Sequence, residues 1–120
     1  MLFRSKTIMK IYIINSGVAN VNSVSNMIKW IGYNPEIVSS LEKVQDKDKI
    51  IFPGIGHFGK AMTNLNNLDI VEPLKDAVIS RKIPLLGICL GMQLLLNESE
   101  EAPGVQGLGL IDGKVKKFDF

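Results

Sequence analysis

The stretch PLLGICLGMQLL, residues 84–95, decides how this chain folds. It holds the only cysteine, Cys89, spaced between Gly87 and Gly91. Leu85, Leu86 and Ile88 make a short apolar run, read as a strand over residues 85–88. Helix-forming residues follow from Gly91 to Leu96. A strand that hands over to a helix through Gly-x-Cys-x-Gly has the form of a nucleophile elbow, a sharp, strained turn that exposes its central residue. The flanking glycines let backbone segments approach closely. A helix beginning at Gly91 points its positive end at the sulfur and favours thiolate. The amide of Leu90 then faces the place where an oxyanion would form. A lone cysteine is also among the residues most often buried as a small hydrophobe, so a structural reading of Cys89 stands beside the catalytic one.

The sequence before the elbow supplies the rest of an α/β sheet. Ile11-Tyr12-Ile13-Ile14 is β-rich without alternation, as expected of a strand covered on both faces. It ends in Asn-Ser-Gly, a turn signal. Val21, Val24, Met27, Ile28 and Ile31 recur at helical spacing, and Gly32 stands at the position of a C-terminal glycine cap. Residues 35–38 and 50–52 read as the second and third strands, the latter stopped by Pro53-Gly54. Asp69 with Glu72 three residues on reads as an N-cap and capping-box partner, with Pro73 early in the helix and Val71, Leu74, Ala77 and Val78 as its buried stripe. Residues 108–118 read as a hairpin turning at Asp112-Gly113. Alternating strands and helices imply an open, mostly parallel sheet with helices on both faces. The patterned sequence starts just after Met9. Residues 1–9 are therefore read as an N-terminal extension and residues 10–120 as the patterned domain, and Phe120, an apolar aromatic directly after the hairpin with no polar tail, hints at an incomplete chain. Such a sheet leaves an unpaired edge and uncovered apolar surface, so the 120-residue piece is expected to be marginally stable or to associate.

Composition narrows the partners. The chain has 120 residues, 46% of them hydrophobic, which suits one small globular domain. Basic and acidic residues, 14 and 12, are interspersed, so nothing argues for nucleic acid or a membrane surface. No apolar run reaches the roughly 18–20 residues of a membrane span. A single cysteine forms no internal disulfide and fits a reducing cytosol.

A second glycine loop, Pro53-Gly54-Ile55-Gly56, follows the third strand. In an open α/β sheet it would share the carboxyl edge with Cys89 and offer a second oxyanion donor. It is no nucleotide loop, since neither Gly-Lys-Ser/Thr nor a complete Gly-x-Gly-x-x-Gly is present. His57 is the only histidine. It is read as a loop residue that packs or hydrogen-bonds locally, in preference to a base for Cys89.

Three segments in order, FPGIGHFGKAM, LLGICLGMQLL and ESEEAPGVQGLGLIDGKVKKF, resemble the class I (triad) glutamine amidotransferases. The likeness runs from about Lys10 to Phe120, implies a flavodoxin-like α/β fold of which residues 10–120 are the N-terminal part, and is strongest to the branch that provides the glutaminase subunits of imidazole glycerol phosphate synthase. It implies that Cys89 attacks the side-chain amide of glutamine, forming a glutamyl thioester with release of ammonia. It implies an oxyanion hole from the backbone of Leu90 and of Gly54, Ile55 and Gly56, with Ile55 the favoured donor. Gln93 and Glu101 would hold the glutamine, Glu101 at its α-amino group. Without the resemblance, Gln93 reads as an exposed helix residue and Glu101 as part of a solvated acidic run. The likeness implies no cofactor and no metal. It implies a partner, a (β/α)₈-barrel cyclase subunit that receives the ammonia, faced by the loop around Asn20 and the Pro-Gly-Ile-Gly turn. The sequence departs from the family in two places. The triad histidine and glutamate, which lie beyond the hairpin in the family, have no counterpart here. The loop Asn15-Ser16-Gly17-Val18-Ala19-Asn20 replaces the commoner Asp-Tyr-Gly-x-Gly-Asn. That leaves open a paralogous subunit for amidation of surface-polysaccharide sugars, and a non-catalytic binding module.

Overall fold

A computed structural model of the chain describes residues 8–17 and 20–119. Most of the expected extension, and Val18 and Ala19 of the loop after the first strand, lie outside the described residues. The elements run β1 (Ile11–Ile14), α1 (Val21–Trp30), β2 (Pro35–Val38), β3 (Lys49–Gly54), α2 (Phe58–Asn67), α3 (Val71–Lys75), β4 (Leu85–Cys89), α4 (Leu90–Leu94), β5 (Glu98–Ser99) and β6 (Lys114–Val115). A π-helical turn, Asp76–Ser80, continues α3. The four long strands form one parallel sheet in the order β2-β1-β3-β4. The carboxyl ends of β1, β3 and β4 therefore share one edge.

Strand register explains the core. Tyr12, Ile50 and Leu85 lie side by side, and Ile14 and Phe52 lie on the same face. That face packs on Phe58, Ala61, Met62 and Leu65 of α2, Leu74 of α3, Ala77, and Leu90 and Leu94 of α4. The opposite face carries the row Ile13, Ile51, Leu86. α1 lies against β1 and β2, and burial fades along that row. Ile13 is fully buried, Ile51 half-buried, and Leu86 on the edge strand 58% exposed. Helices thus cover both faces, but the second face is covered only on the β1–β2 side.

Buried Asp48 ties the sheet's entry together, accepting hydrogen bonds from the Lys10 amide at 2.9 Å and the Gln45 amide at 2.7 Å. The end of α1 meets expectation: Gly32 has φ 100°, its amide bonds the Lys29 carbonyl at 3.0 Å, and the Tyr33 amide bonds the Ile28 carbonyl at 3.1 Å. This is a Schellman cap.

Several expectations are corrected. Asp69 is not an N-cap. It takes φ 54° and closes α2, where the Asp69 amide bonds Asn66 O at 3.1 Å and the Ile70 amide bonds Leu65 O at 3.3 Å. The preceding helix end claims Asp69 before it can cap the following one, and Ile70 starts α3 with no side-chain cap. Pro53-Gly54 does not stop β3. Pro53 pairs with Ile88 and Gly54 with Cys89. No hairpin forms around Asp112-Gly113. The amides of Leu108, Ile111 and Gly109 go to the carbonyls of Leu94, Leu95 and Leu96, left free where α4 ends. β6 then pairs in parallel with β5. The α1 stripe is narrower than its spacing implies, since Met27 and Ile31 are exposed and Ile28 is buried. α2 had no counterpart in the sequence reading.

Candidate active site

Cys89 ends β4 and caps α4 with φ 55° and ψ −121°. For an L-residue this lies outside all the ordinary wells, including the left-handed one. The thiol is free and exposed, so Cys89 is not a buried hydrophobe. The strain has an identifiable source. α4 folds back directly over β3 and β4, with no room between. A Cβ on Gly91 would collide with the Phe52 carbonyl oxygen, one on Gly87 would lie 2.8 Å from Met92 Cα, and one on Gly54 would lie 2.9 Å from the Gly91 nitrogen. Glycine is thus required on either side of the cysteine by close backbone approach. α4 is shorter than expected, five residues from Leu90, so only a short stack of peptide dipoles stands behind the sulfur.

β3 brings the second glycine loop alongside. Gly54 is the register partner of Cys89 in adjacent parallel strands, which places the two backbones about 4.8 Å apart. The chain then turns through Ile55, 59% exposed, and Gly56, whose φ is 101°. Leu90, next to the cysteine, is buried with its side chain in the core. The turn and the elbow therefore face one another across the β3–β4 pair.

His57 follows the turn and is the N-cap of α2. Its Nδ1 accepts hydrogen bonds from the amides of Gly59 at 3.0 Å and Lys60 at 3.4 Å. The local role expected for this histidine is the one the structure gives it.

Gln93, half-buried, sits one helical turn after Cys89. It lines a cavity of about 470 Å³ together with Ser99, Glu100, Glu101, Val115, Lys116 and Lys117. Gln93 and Glu101, eight positions apart, are thus brought to one concavity. Cys89 and residues 54–56 are not among its lining, and Gln93 is joined to Cys89 through α4. Glu101 is held at both ends. Its amide bonds Ser99 Oγ at 3.1 Å, and its Oε1 accepts the Phe58 amide at 2.6 Å. Ser99, Lys116 and Lys117 were not singled out from sequence. Reading residues 108–118 as a hairpin placed the lysines on a separate ribbon, and nothing in the periodicity signals the parallel pairing of β5 with β6. Among the described residues, no group of three or more His, Cys, Asp or Glu side chains is arranged to hold a metal ion. Nor, among those residues, is any helix long and apolar enough to cross a membrane.

A parallel α/β sheet with a strained, exposed cysteine at its carboxyl edge defines a protein with a thiol nucleophile elbow. The chain belongs to the class-I glutamine amidotransferase family, whose model matches residues 12–117. It is 46% identical over 108 residues to imidazole glycerol phosphate synthase subunit HisH 2 of Methanococcus maripaludis, covering 90% of this chain and 53% of that protein. It is 43% identical to subunit HisH of Leptospira interrogans, covering 90% and 52%. It is 46% identical to subunit HisH of Bacillus cereus, covering 90% and 51%. The chain spans about half the length of the curated relatives it matches.

Proposed function

We propose that this chain carries the nucleophile half of the glutaminase subunit of an imidazole glycerol phosphate synthase, hydrolysing glutamine to glutamate and ammonia for histidine biosynthesis in the cytoplasm. The observation that carries the reading is Cys89, strained, exposed and in register with Gly54. Its thiolate adds to the carboxamide carbon of glutamine. The tetrahedral oxyanion is met by backbone amides of Leu90 and the Gly54–Gly56 turn, with Ile55 the favoured donor. Collapse expels ammonia and leaves a γ-glutamyl thioester, which water hydrolyses. Gln93 and Glu101 hold the substrate in the 470 Å³ cavity, and Glu101 takes the α-ammonium group. Proton transfer is assigned to no residue of these 120, because His57 Nδ1 is committed to capping α2. The resemblance gives that role, including the proton for the departing ammonia, to a histidine–glutamate pair with no counterpart among these residues. The ammonia passes to a cyclase subunit built as a (β/α)₈ barrel, with the Asn20 loop and the Pro-Gly-Ile-Gly turn toward it. A heterodimer follows.

The test is labelling of Cys89 by a glutamine-mimicking diazoketone in the subunit assembled with its barrel partner, together with Cys89→Ala. The reading expects covalent labelling at Cys89. It also expects loss of glutamine-dependent turnover with retention of ammonium-dependent turnover in the alanine variant. Retained glutamine hydrolysis in Cys89→Ala sinks it. A partner that aminates a polysaccharide sugar instead of the imidazole precursor moves the chain to the paralogous branch, which the Asn15–Asn20 loop leaves open. Labelling of Cys89 without hydrolysis would instead support the alternative of a binding module without turnover.

A further inference from the structure

The four first amides of a helix have no partner within it. At the start of α2, three of them are taken by two side chains from different parts of the chain. His57 Nδ1 accepts from Gly59 and Lys60, at 3.0 and 3.4 Å. Glu101 Oε1, 43 positions further on, accepts from Phe58 at 2.6 Å. Packing reinforces this meeting point. A Cβ on Gly59 would lie 3.1 Å from His57 Cε1 and 3.2 Å from Ala102 Cβ, so α2, the histidine and the Glu101 segment are in mutual contact. Phe58 and Ala102 are both buried there. The Gly54–Gly56 turn lies between this point and the β3–β4 ladder. Its middle residue, Ile55, is exposed, and Gly56 has φ 101°. The turn is thus held at one end by pairing with Cys89 and at the other by the two-residue cap.

We infer that Glu101 is a positioning residue for the Gly54–Gly56 turn as well as a ligand for substrate. This deepens the proposed function and rests on it. Oε1 fixes the far end of the turn through the Phe58 amide. Oε2 accepts no hydrogen bond from a described residue, and the proposed function gives it the α-ammonium group of glutamine. One carboxylate then sets the distance between the α-ammonium of glutamine and the amide that receives its oxyanion. A shorter or absent side chain loosens the turn even with no substrate present. A glutamine side chain keeps an acceptor for Phe58 and loses the charge.

Amide hydrogen exchange on the 120-residue chain, with no glutamine added, tests this in Glu101→Ala, Glu101→Asp and Glu101→Gln. Loss of a charge-assisted hydrogen bond predicts that the Phe58 amide exchanges about ten- to a hundred-fold faster in the alanine variant. The aspartate variant, with its charge kept and its reach shortened by one methylene, behaves like alanine. The glutamine variant stays within about fivefold of the native chain. Amides of Tyr12 and Ile13 in β1 stay unchanged throughout. Unchanged Phe58 exchange in Glu101→Ala overturns the inference. So does equal acceleration in Glu101→Gln, native behaviour in Glu101→Asp, or acceleration spread evenly into β1. Exchange is read without turnover, so failure of the glutaminase reading shows separately, as a Cys89 that the diazoketone does not label while the Phe58 amide remains protected.

Discussion

Cys89→Gly should make the protein more stable than Cys89→Ala, the reverse of the usual order. At φ 55° and ψ −121° the cysteine Cβ is held in a region that L-residues avoid, and such positions cost roughly 1–3 kcal/mol each. Alanine keeps the Cβ and therefore the strain. Glycine removes it, and loses roughly 0.5–1 kcal/mol through the greater freedom of its unfolded chain. The sulfur is exposed, so its removal is equal in both variants and small. The balance favours glycine over alanine by about 1 kcal/mol. At a urea m-value of about 1.5 kcal/mol/M, that raises the unfolding midpoint by roughly 0.7 M. Equilibrium urea unfolding followed by Trp30 fluorescence and by far-UV circular dichroism in parallel measures the difference, with equal m-values required for the comparison. A glycine midpoint at or below the alanine midpoint would show that the elbow is not strained, and the structural argument for an activated position at Cys89 would fall with it.

Three further outcomes follow from the same structure. Gly91→Ala places a Cβ against the rigid Phe52 carbonyl, so it should destabilise by about 3 kcal/mol or more, or prevent folding, whereas Gly104→Ala, where no atom lies near, should show only the smaller penalty of its positive φ; urea midpoints separate the two. Glu36 has its carboxyl held below the ordinary value of 4.5, chiefly by the hydrogen bond from Lys10 and then by Lys43, against the opposing effect of burial. Its contribution to stability is full above the unfolded value and disappears as pH falls through the lower folded one, so native and Glu36→Gln midpoints should differ at pH 7 and converge toward pH 3. Leu86 is 58% exposed on edge strand β4, which carries no charged residue; Leu86→Lys should reduce concentration-dependent association of the 120-residue chain in analytical ultracentrifugation, and association undiminished by the lysine would place the contact elsewhere.

The sheet was legible wherever one segment's pattern had a single outlet. Ile11-Tyr12-Ile13-Ile14 can satisfy its apolar run only between two layers, and Gly32 sits where only a left-handed residue closes α1. The elbow was legible because close approach demands glycine at fixed spacing around Cys89. What failed involved competition between neighbours. Asp69-x-x-Glu72 is spelled like a capping box, yet the end of α2 needed a left-handed residue first. The β-prone residues around Asp112-Gly113 would suit a hairpin, yet the carbonyls at the end of α4 were nearer claimants for their amides. α2 carries Phe58, Ala61, Met62 and Leu65 at one-face spacing, all buried, but Gly59 and the Asn64–Asn67 segment dilute its helical propensity. Its existence rests on packing and on caps from His57 and Glu101. In the site, Gln93 and Glu101 converge only because α4 is one turn long and the chain reverses after it, which no local spacing encodes.

The two walls of the site are built to different tolerances, and that difference bears on how it would work. On the nucleophile side, position is enforced by backbone against backbone: β3–β4 register, and glycines at which any Cβ would intrude on main-chain atoms. Such contacts cannot relax without separating whole elements, so Cys89 and Gly54 should open only with global unfolding. On the cavity side, Glu101, Lys116 and Lys117 are held by the short β5–β6 ladder, by flanking backbone bonds such as the Glu100 amide to Val115 O at 3.0 Å, and by side-chain bonds such as the Lys117 amide to Glu100 Oε2 at 2.9 Å. The Glu101–Phe58 bond is the one described hydrogen bond by which a cavity residue returns the outer wall to the turn beside the nucleophile. Fixed placement of the Cys89 side by backbone against backbone is the preorganisation that stabilisation of an oxyanion would require.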